Sequence, residues 1–166
     1  TGLSDGGAEA VLYRLCSEDK INTHIVISLT EKGKYGSLLL EKDIQVHWLG
    51  MPRGRVALSG ISKLYRLIQS LTPDVVQTWM YHADLIGGLV ARLAGAHKIY
   101  WGIRASSLEI GKSSWRTIVV AYINALLSLW VPTGIVCCAD RAQQPHQQLG
   151  FAVVRFTVIP NGYNLN

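Results

Sequence analysis

Apolar residues return along this chain in two rhythms: short compact runs, and longer stretches in which they recur every third or fourth position. The first rhythm marks buried strands and the second marks helices laid against them. Ala8, Ala10, Val11, Leu12 and Leu15 follow Gly6 and Gly7 in helical spacing that dies out at Glu18, Asp19 and Lys20, so a glycine turn opens a helix. Residues 24–29 form a β-branched run and predict a buried strand. Residues 30–36, with two glycines and three charges, predict a loop, and residues 44–49 predict a second strand.

Between 56 and 71 the residues Leu58, Ile61, Leu64, Tyr65, Leu67, Ile68 and Leu71 share one helical face, with Lys63 and Arg66 off it. Thr72-Pro73 ends that helix, because proline disfavours helical backbone in its predecessor. A strand over 74–80, a helix over 83–93 stopped by Gly95 and a strand over 98–102 follow. Ser113 or Ser114 can cap a long helix reaching about Trp130, and Pro132 and Gly134 punctuate the next turn. Residues 135–138 predict a strand, 139–149 a helix that Pro145 should kink or split, and 156–159 the last strand. Strands separated by helices imply parallel crossovers, hence an α/β, Rossmann-like doubly wound, mostly parallel sheet with ligands at the carboxyl ends of its strands. Such sheets place their first strand centrally. Thr1 starts in the loop that would follow it, so a hydrophobic strand is expected upstream.

Composition narrows the picture. With 166 residues and 49% apolar content the chain can bury a full core, and its length suggests one domain. Charged residues are only 16%, so some apolar surface is expected to meet something. The net charge of +5 favours acidic partners such as nucleotide phosphates or anionic lipid headgroups, while the scatter of basic residues argues against nucleic acid. Cys16, Cys137 and Cys138 allow no even pairing and no metal-ligand spacing, which suits a reducing cytosol. The most apolar stretch, 117–132, is shorter than a membrane span and is broken by Asn124 and Ser128. A buried or membrane-grazing helix fits it better.

Four places carry candidate chemistry. The Gly6-Gly7 turn lets backbone amides approach a phosphate at the positive end of a helix, although a plain turn is the ordinary reading of two glycines. It lacks the Gly-x-Gly-x-x-Gly spacing of a dinucleotide site, which disfavours a nicotinamide-dependent dehydrogenase. His82, with Asp84 in the same turn, stands at a strand-to-helix junction where sheets of this type present ligand groups; a capping or surface histidine is the bland alternative. Arg104 in Trp101-Gly102-Ile103-Arg104-Ala105-Ser106 emerges at the same rim and suits a carboxylate or phosphate, or else an ion pair with Glu109. Lys112, Trp115, Arg116 and Tyr122 suit either an anionic membrane or a solvated helix start.

Taken in order, Gly6-Gly7-Ala8-Glu9, Tyr81-His82-Ala83-Asp84, Trp101-Gly102-Ile103-Arg104, Cys137-Cys138 and Val158-Ile159-Pro160-Asn161-Gly162 resemble the landmarks of the N-terminal domain of family 4 glycosyltransferases. The resemblance implies a GT-B architecture of two Rossmann-like domains. Residues 1–166 would be the N-terminal, acceptor-side domain, Asn161 and Gly162 its hinge, and the donor-binding C-terminal domain with its paired glutamates would lie outside this chain.

It further implies a hexosyltransferase-like enzyme of polysaccharide biosynthesis. A sugar would pass from a nucleotide-sugar donor to a glycan, lipid-linked or other acceptor with retention of configuration, and neither metal nor cofactor would be required. Gly6 and Gly7 would face the donor diphosphate, His82 would act in catalysis near the transferred sugar, and Arg104 and Asp84 would bind acceptor or substrate. Cytoplasmic placement, with peripheral contact at the inner face of the membrane, goes with many relatives. Three places depart from the family pattern: Tyr163-Asn164 where an acid usually follows, Pro145 in a helix normally unbroken, and Arg141 where an acidic or small residue is more usual. The chain alone is expected to transfer no sugar. A non-catalytic binding module, or a relic of a truncated gene with the same fold, is the rival reading.

Overall fold

The structure is a computed structural model that describes residues 1–104 and 114–160. Its elements run α1 (Gly7–Glu18), β1 (Ile25–Ser28), α2 (Gly33–Leu40), β2 (Gln45–Trp48), α3 (Leu58–Leu71), β3 (Val76–Trp79), α4 (Tyr81–Leu93), β4 (Ile99–Ile103), α5 (Trp115–Leu127), β5 (Gly134–Cys137), α6 (Asp140–Gln148), a 3₁₀ turn (Val153–Arg155) and β6 (Phe156–Val158). Every strand pairing is parallel, as short strands joined through helices require. The α/β, Rossmann-like reading stands, but the expected single sheet is divided. β1 and β2 form one sheet, β3-β4-β5-β6 form another, and no described strand joins them. The chain correspondingly separates into two compact units, Thr1–Lys63 and Leu64–Asn161.

In the first unit Leu3, Cys16, Val26, Leu39 and Val46 form the core, with Leu12, Tyr13, Tyr35 and Ile44 packed on it. Burial pushes the Cys16 thiol up to about 11, so it is an inert apolar filler. The carbonyl of Thr1 accepts from the Leu29 amide at 2.9 Å, so the chain begins alongside the end of β1. The loop expected over 30–36 is corrected in its second half, where α2 starts. Gly33 has φ +64°, and a Cβ there would lie 2.3 Å from the Leu3 carbonyl oxygen. This glycine marks a close approach of two backbones rather than a flexible break, and the fully buried Leu39 then anchors the helix.

In the second unit β4 and β5 are the inner strands, and one face of each is sealed: Ile99, Trp101 and Ile103 of β4 are alternate residues with almost no exposure, as are Ile135 and Cys137 of β5. The buried Gly87 and Gly88 let α4 lie close on the sheet, since a Cβ at Gly87 would come 3.1 Å from Thr78 and one at Gly88 2.5 Å from the Trp101 indole nitrogen, while α5 buries the small Ala121 and Ala125. α3 ends at Thr72, which takes φ +43° before Pro73. Of the two effects expected of Pro145, a kink or a split, the split does not occur, since α6 runs through it as one helix. Proline there removes a single bond, to the exposed Arg141, and the buried His146 beside it fixes the helix in place. Ser114 stands at the N-cap of α5 but makes no capping bond. Ser113 lies outside the described residues.

Candidate functional site

The turn from β3 into α4 is built by constraint. The Met80 amide donates to Gly102 at 3.1 Å, extending the β3–β4 ladder, and the Met80 carbonyl accepts from Asp84 at 2.9 Å, opening the helix. To do both, Met80 adopts φ +75° and ψ 150°, a region nearly closed to residues with a side chain, which holds only where the surroundings over-determine it.

They do. Asn124 of α5 donates from Nδ2 to the Tyr81 carbonyl at 2.8 Å, and the Tyr81 hydroxyl meets His146 Nε2 at 2.5 Å. On the other side of that ring, Nδ1 lies 2.5 Å from the Ala142 carbonyl, which can only accept. The proton therefore resides on Nδ1, Nε2 accepts from the phenol, and the imidazole is neutral. Burial favours the same state, lowering the His146 pKa and raising that of Tyr81. Phe151 closes the cluster edge-on, 5.4 Å from the imidazole.

His82 projects from this frame one residue after Tyr81. It is half-buried, which lowers its pKa and leaves the ring neutral at pH 7, and it makes no hydrogen bond with the described residues. One nitrogen can donate and the other accept. Arg104 follows β4, the strand paired with β3, and its guanidinium lies over the Trp79 indole at 4.0 Å from the ring centroid. That stacking holds the side chain in one plane at the carboxyl rim. Burial lowers the Arg104 pKa, an effect opposed by nearby Cys138 and Cys137, and the group stays charged at any physiological pH.

Asp84, expected to meet substrate, is placed differently. It is 1% exposed, and its Oδ1 accepts from the Thr78 hydroxyl at 2.6 Å. Burial pushes its carboxyl up to about 8, so it is protonated at neutral pH and ties α4 to β3 from below. His82 and Arg104 thus follow the carboxyl ends of two paired strands, β3 and β4, while Asp84 is buried against Thr78.

Gly6 and Gly7 belong to the first unit. Gly6 caps α1 with extended backbone and no side-chain bond, so the first amides of the helix keep their donors. A Cβ on Gly7 would meet nothing within 4 Å, whereas one on Gly6 would lie 2.4 Å from a carboxylate oxygen of Glu9, which is folded back over the turn. Beside it a cavity of ≈ 200 Å³ is lined by Ser4, Asp5, Thr30, Glu31, Lys34 and Arg53 among others. Its charges are paired, Lys34 with Asp5 at 2.9 Å and Arg53 with Glu31 at 3.9 Å.

Asn161, Gly162 and Glu109 lie outside the described residues. Among the described residues no three His, Cys, Asp or Glu side chains gather as metal ligands, and no helix is long and apolar enough to cross a membrane. Sequence reasoning missed Met80, Tyr81 and His146 as the frame around His82. Asn124 had a visible signal, a lone amide in an apolar helix, and its partner was the hidden part.

HepE of Anabaena, in a crystal structure with UDP-glucose, superposes with a TM-score of 0.78 at 18% identity, over 97% of this chain and 42% of that one. MurG of Acinetobacter baumannii gives 0.63 at 17% identity over 97% and 44%. The UDP-N-acetylglucosamine 2-epimerase of Rickettsia bellii gives 0.64 at 14% over 93% and 43%. The chain therefore spans less than half the length of each. At such identities the likeness shows a shared GT-B fold, and the epimerase among them shows that the fold alone does not name a reaction. Among curated protein sequences none matches. The sequence model of one family, Glycosyltransferase Family 4, matches residues 5–166, and the chain belongs to that family.

Proposed function

We propose that this chain is the N-terminal, acceptor-side domain of a glycosyltransferase that moves a hexosyl-type sugar from a nucleotide-sugar donor to a glycan or lipid-linked acceptor, with retention at the anomeric carbon. The family match over nearly all of its length carries the reading. The chemistry of the second unit supports it. A neutral His82 offers one N–H to a hydroxyl or to oxygen charge that grows as the glycosidic bond breaks, and it does so from a backbone that cannot relax away. Arg104, kept planar by Trp79, suits an anionic group on the acceptor.

In the first unit the amides of Gly7 and its successors would offer donors to the diphosphate. Donors of that kind, with the helix dipole, would supply countercharge to the diphosphate. The complete enzyme would work in the cytoplasm, in polysaccharide assembly at the inner face of the membrane. It would require a C-terminal domain for the donor, and residues 1–166 alone would transfer nothing.

The test uses the natural polypeptide that carries this chain, screened by calorimetry and turnover against nucleotide sugars. UDP-glucose comes first because HepE was crystallised with it. Binding, followed by a product of unchanged anomeric configuration, is the expected result. Absence of both across the common nucleotide sugars would return the chain to the class of non-catalytic binding modules.

A further inference from the structure

His146 is fully buried on a helix whose Arg141, Gln144 and Gln148 face solvent. Its ring lies against that of Tyr81, with centroids 5.8 Å apart and planes at 27°. Phe151 stands edge-on to it, and Phe156 of β6 stands edge-on to Phe151. The Phe151 amide donates to the His146 carbonyl at 3.1 Å, which keeps that ring in place. Packing and the Ala142 carbonyl at Nδ1 thus fix the imidazole, and its Nε2 is left as an acceptor with a single direction. That direction meets the Tyr81 hydroxyl.

A bond so specific supplies something other than burial. Replacing both members of a neutral hydrogen-bonded pair by apolar groups of the same shape can be nearly neutral for stability, so two apolar rings would fill this space as well. They would not supply direction. α4 has no side-chain cap at its start, and an uncapped first turn frays unless something else holds it. Tyr81 and His82 are the first two residues of that turn. Asn124 restrains the Tyr81 carbonyl, and Gly102 and Asp84 restrain the backbone of Met80. The bond from the phenol to His146 adds a restraint on the side chain and ties the turn to α6.

We propose that His146 is a positioning residue for the transfer reaction: through the Tyr81 hydroxyl it holds the first turn of α4, and with it His82, in the orientation in which that imidazole meets substrate. The inference rests on the proposed transferase function and deepens it, extending the site to a buried side chain that meets no substrate itself.

The natural polypeptide is compared with Tyr81→Phe, His146→Phe and His146→Gln, the last of which keeps an amide oxygen that can accept from the phenol. Tyr81→Phe and His146→Phe are each expected to lower kcat about tenfold, short of the roughly 10²-fold cost of a misplacement of about 1 Å, with KM for the nucleotide sugar unchanged. His146→Gln should restore most of the loss. In a His82→Ala background Tyr81→Phe should change turnover by less than about twofold, because the support has nothing left to aim. Independently of turnover, the imidazole nitrogen resonances of His82 should shift in Tyr81→Phe.

Unchanged kcat in Tyr81→Phe, whatever its melting temperature, would make the pair a core contact and overturn the assignment. So would a further tenfold loss on top of His82→Ala, since the pair then acts elsewhere than through His82, or a His146→Gln protein no faster than His146→Phe, since the hydrogen bond then carries nothing. A natural polypeptide that transfers no sugar would sink the transferase reading by itself. The hold on His82 is then decided by its resonances, and an unshifted spectrum in Tyr81→Phe overturns it.

Discussion

Two helices of this protein begin where chemistry is expected, and they begin in opposite ways. α1 opens on Gly6-Gly7, in unstrained extended backbone with open space where the Gly7 side chain would be. α4 opens on Met80 at φ +75° and ψ 150°, clamped by Asn124, His146, Gly102 and Asp84. Neither start has a side-chain cap. The first keeps its amides available by leaving atoms out. The second aims one side chain, His82, by crowding every neighbour around it. An empty turn suits a ligand that approaches the backbone, and an over-determined turn suits a group that must hold still.

The contrast can be broken most sharply at His82. His82→Ala should lower turnover of the natural polypeptide about 10²–10³-fold, the usual cost of one preorganised donor, with its melting temperature unchanged. A fall in melting temperature with turnover preserved would make His82 a structural residue. Asp84→Asn comes next. The wild-type carboxyl is held up at about 8 in the folded state against roughly 3.9 in an unfolded chain, so its contribution is fully present below the lower value and is lost as pH rises towards the higher one. Denaturant unfolding of wild type should weaken over that window by up to about 1.4 kcal/mol per pH unit relative to Asp84→Asn. Parallel pH profiles for the two proteins would mean that the carboxyl is ionised in the fold.

Met80→Gly should add about 1 kcal/mol of stability by removing a strain of ~1–3 kcal/mol, less the entropy a glycine loses on folding. It should also slow turnover, because His82 gains freedom; a destabilised variant would show that the turn is not strained. Gly7→Ala should be the mildest, raising stability by less than ~1 kcal/mol through helix propensity. Because its methyl stands where a phosphate would approach, donor affinity should nevertheless fall. Unchanged affinity by calorimetry would separate Gly7 from the donor.

The alternation of strands and helices was legible because buried strands and amphipathic helices leave different periods, and the Gly6-Gly7 helix start was legible because glycine is conspicuous. α2 was not, because Gly33 and Gly36 read as breakers when they permit contact with Leu3. The frame around His82 was hidden for a different reason: Tyr81 and His146 stand 65 positions apart, and nothing local in either pairs them. Asp84 was visible as an acid beside His82, but its direction depends on Thr78, a strand away from the helix it serves. The strain at Met80 leaves no trace in residue type at all.

Glu9 gives the glycine turn one more property. Its carboxylate lies folded beside Gly6 without bonding the amides of the turn, so a tethered acid stands at the edge of the open helix end. A phosphate taking those amides, as proposed, would push the acid aside, and the acid could swing back once the visitor departs. Capture and release at such a doorway would be two strokes of a single movement, with a negative group near the helix end in both states.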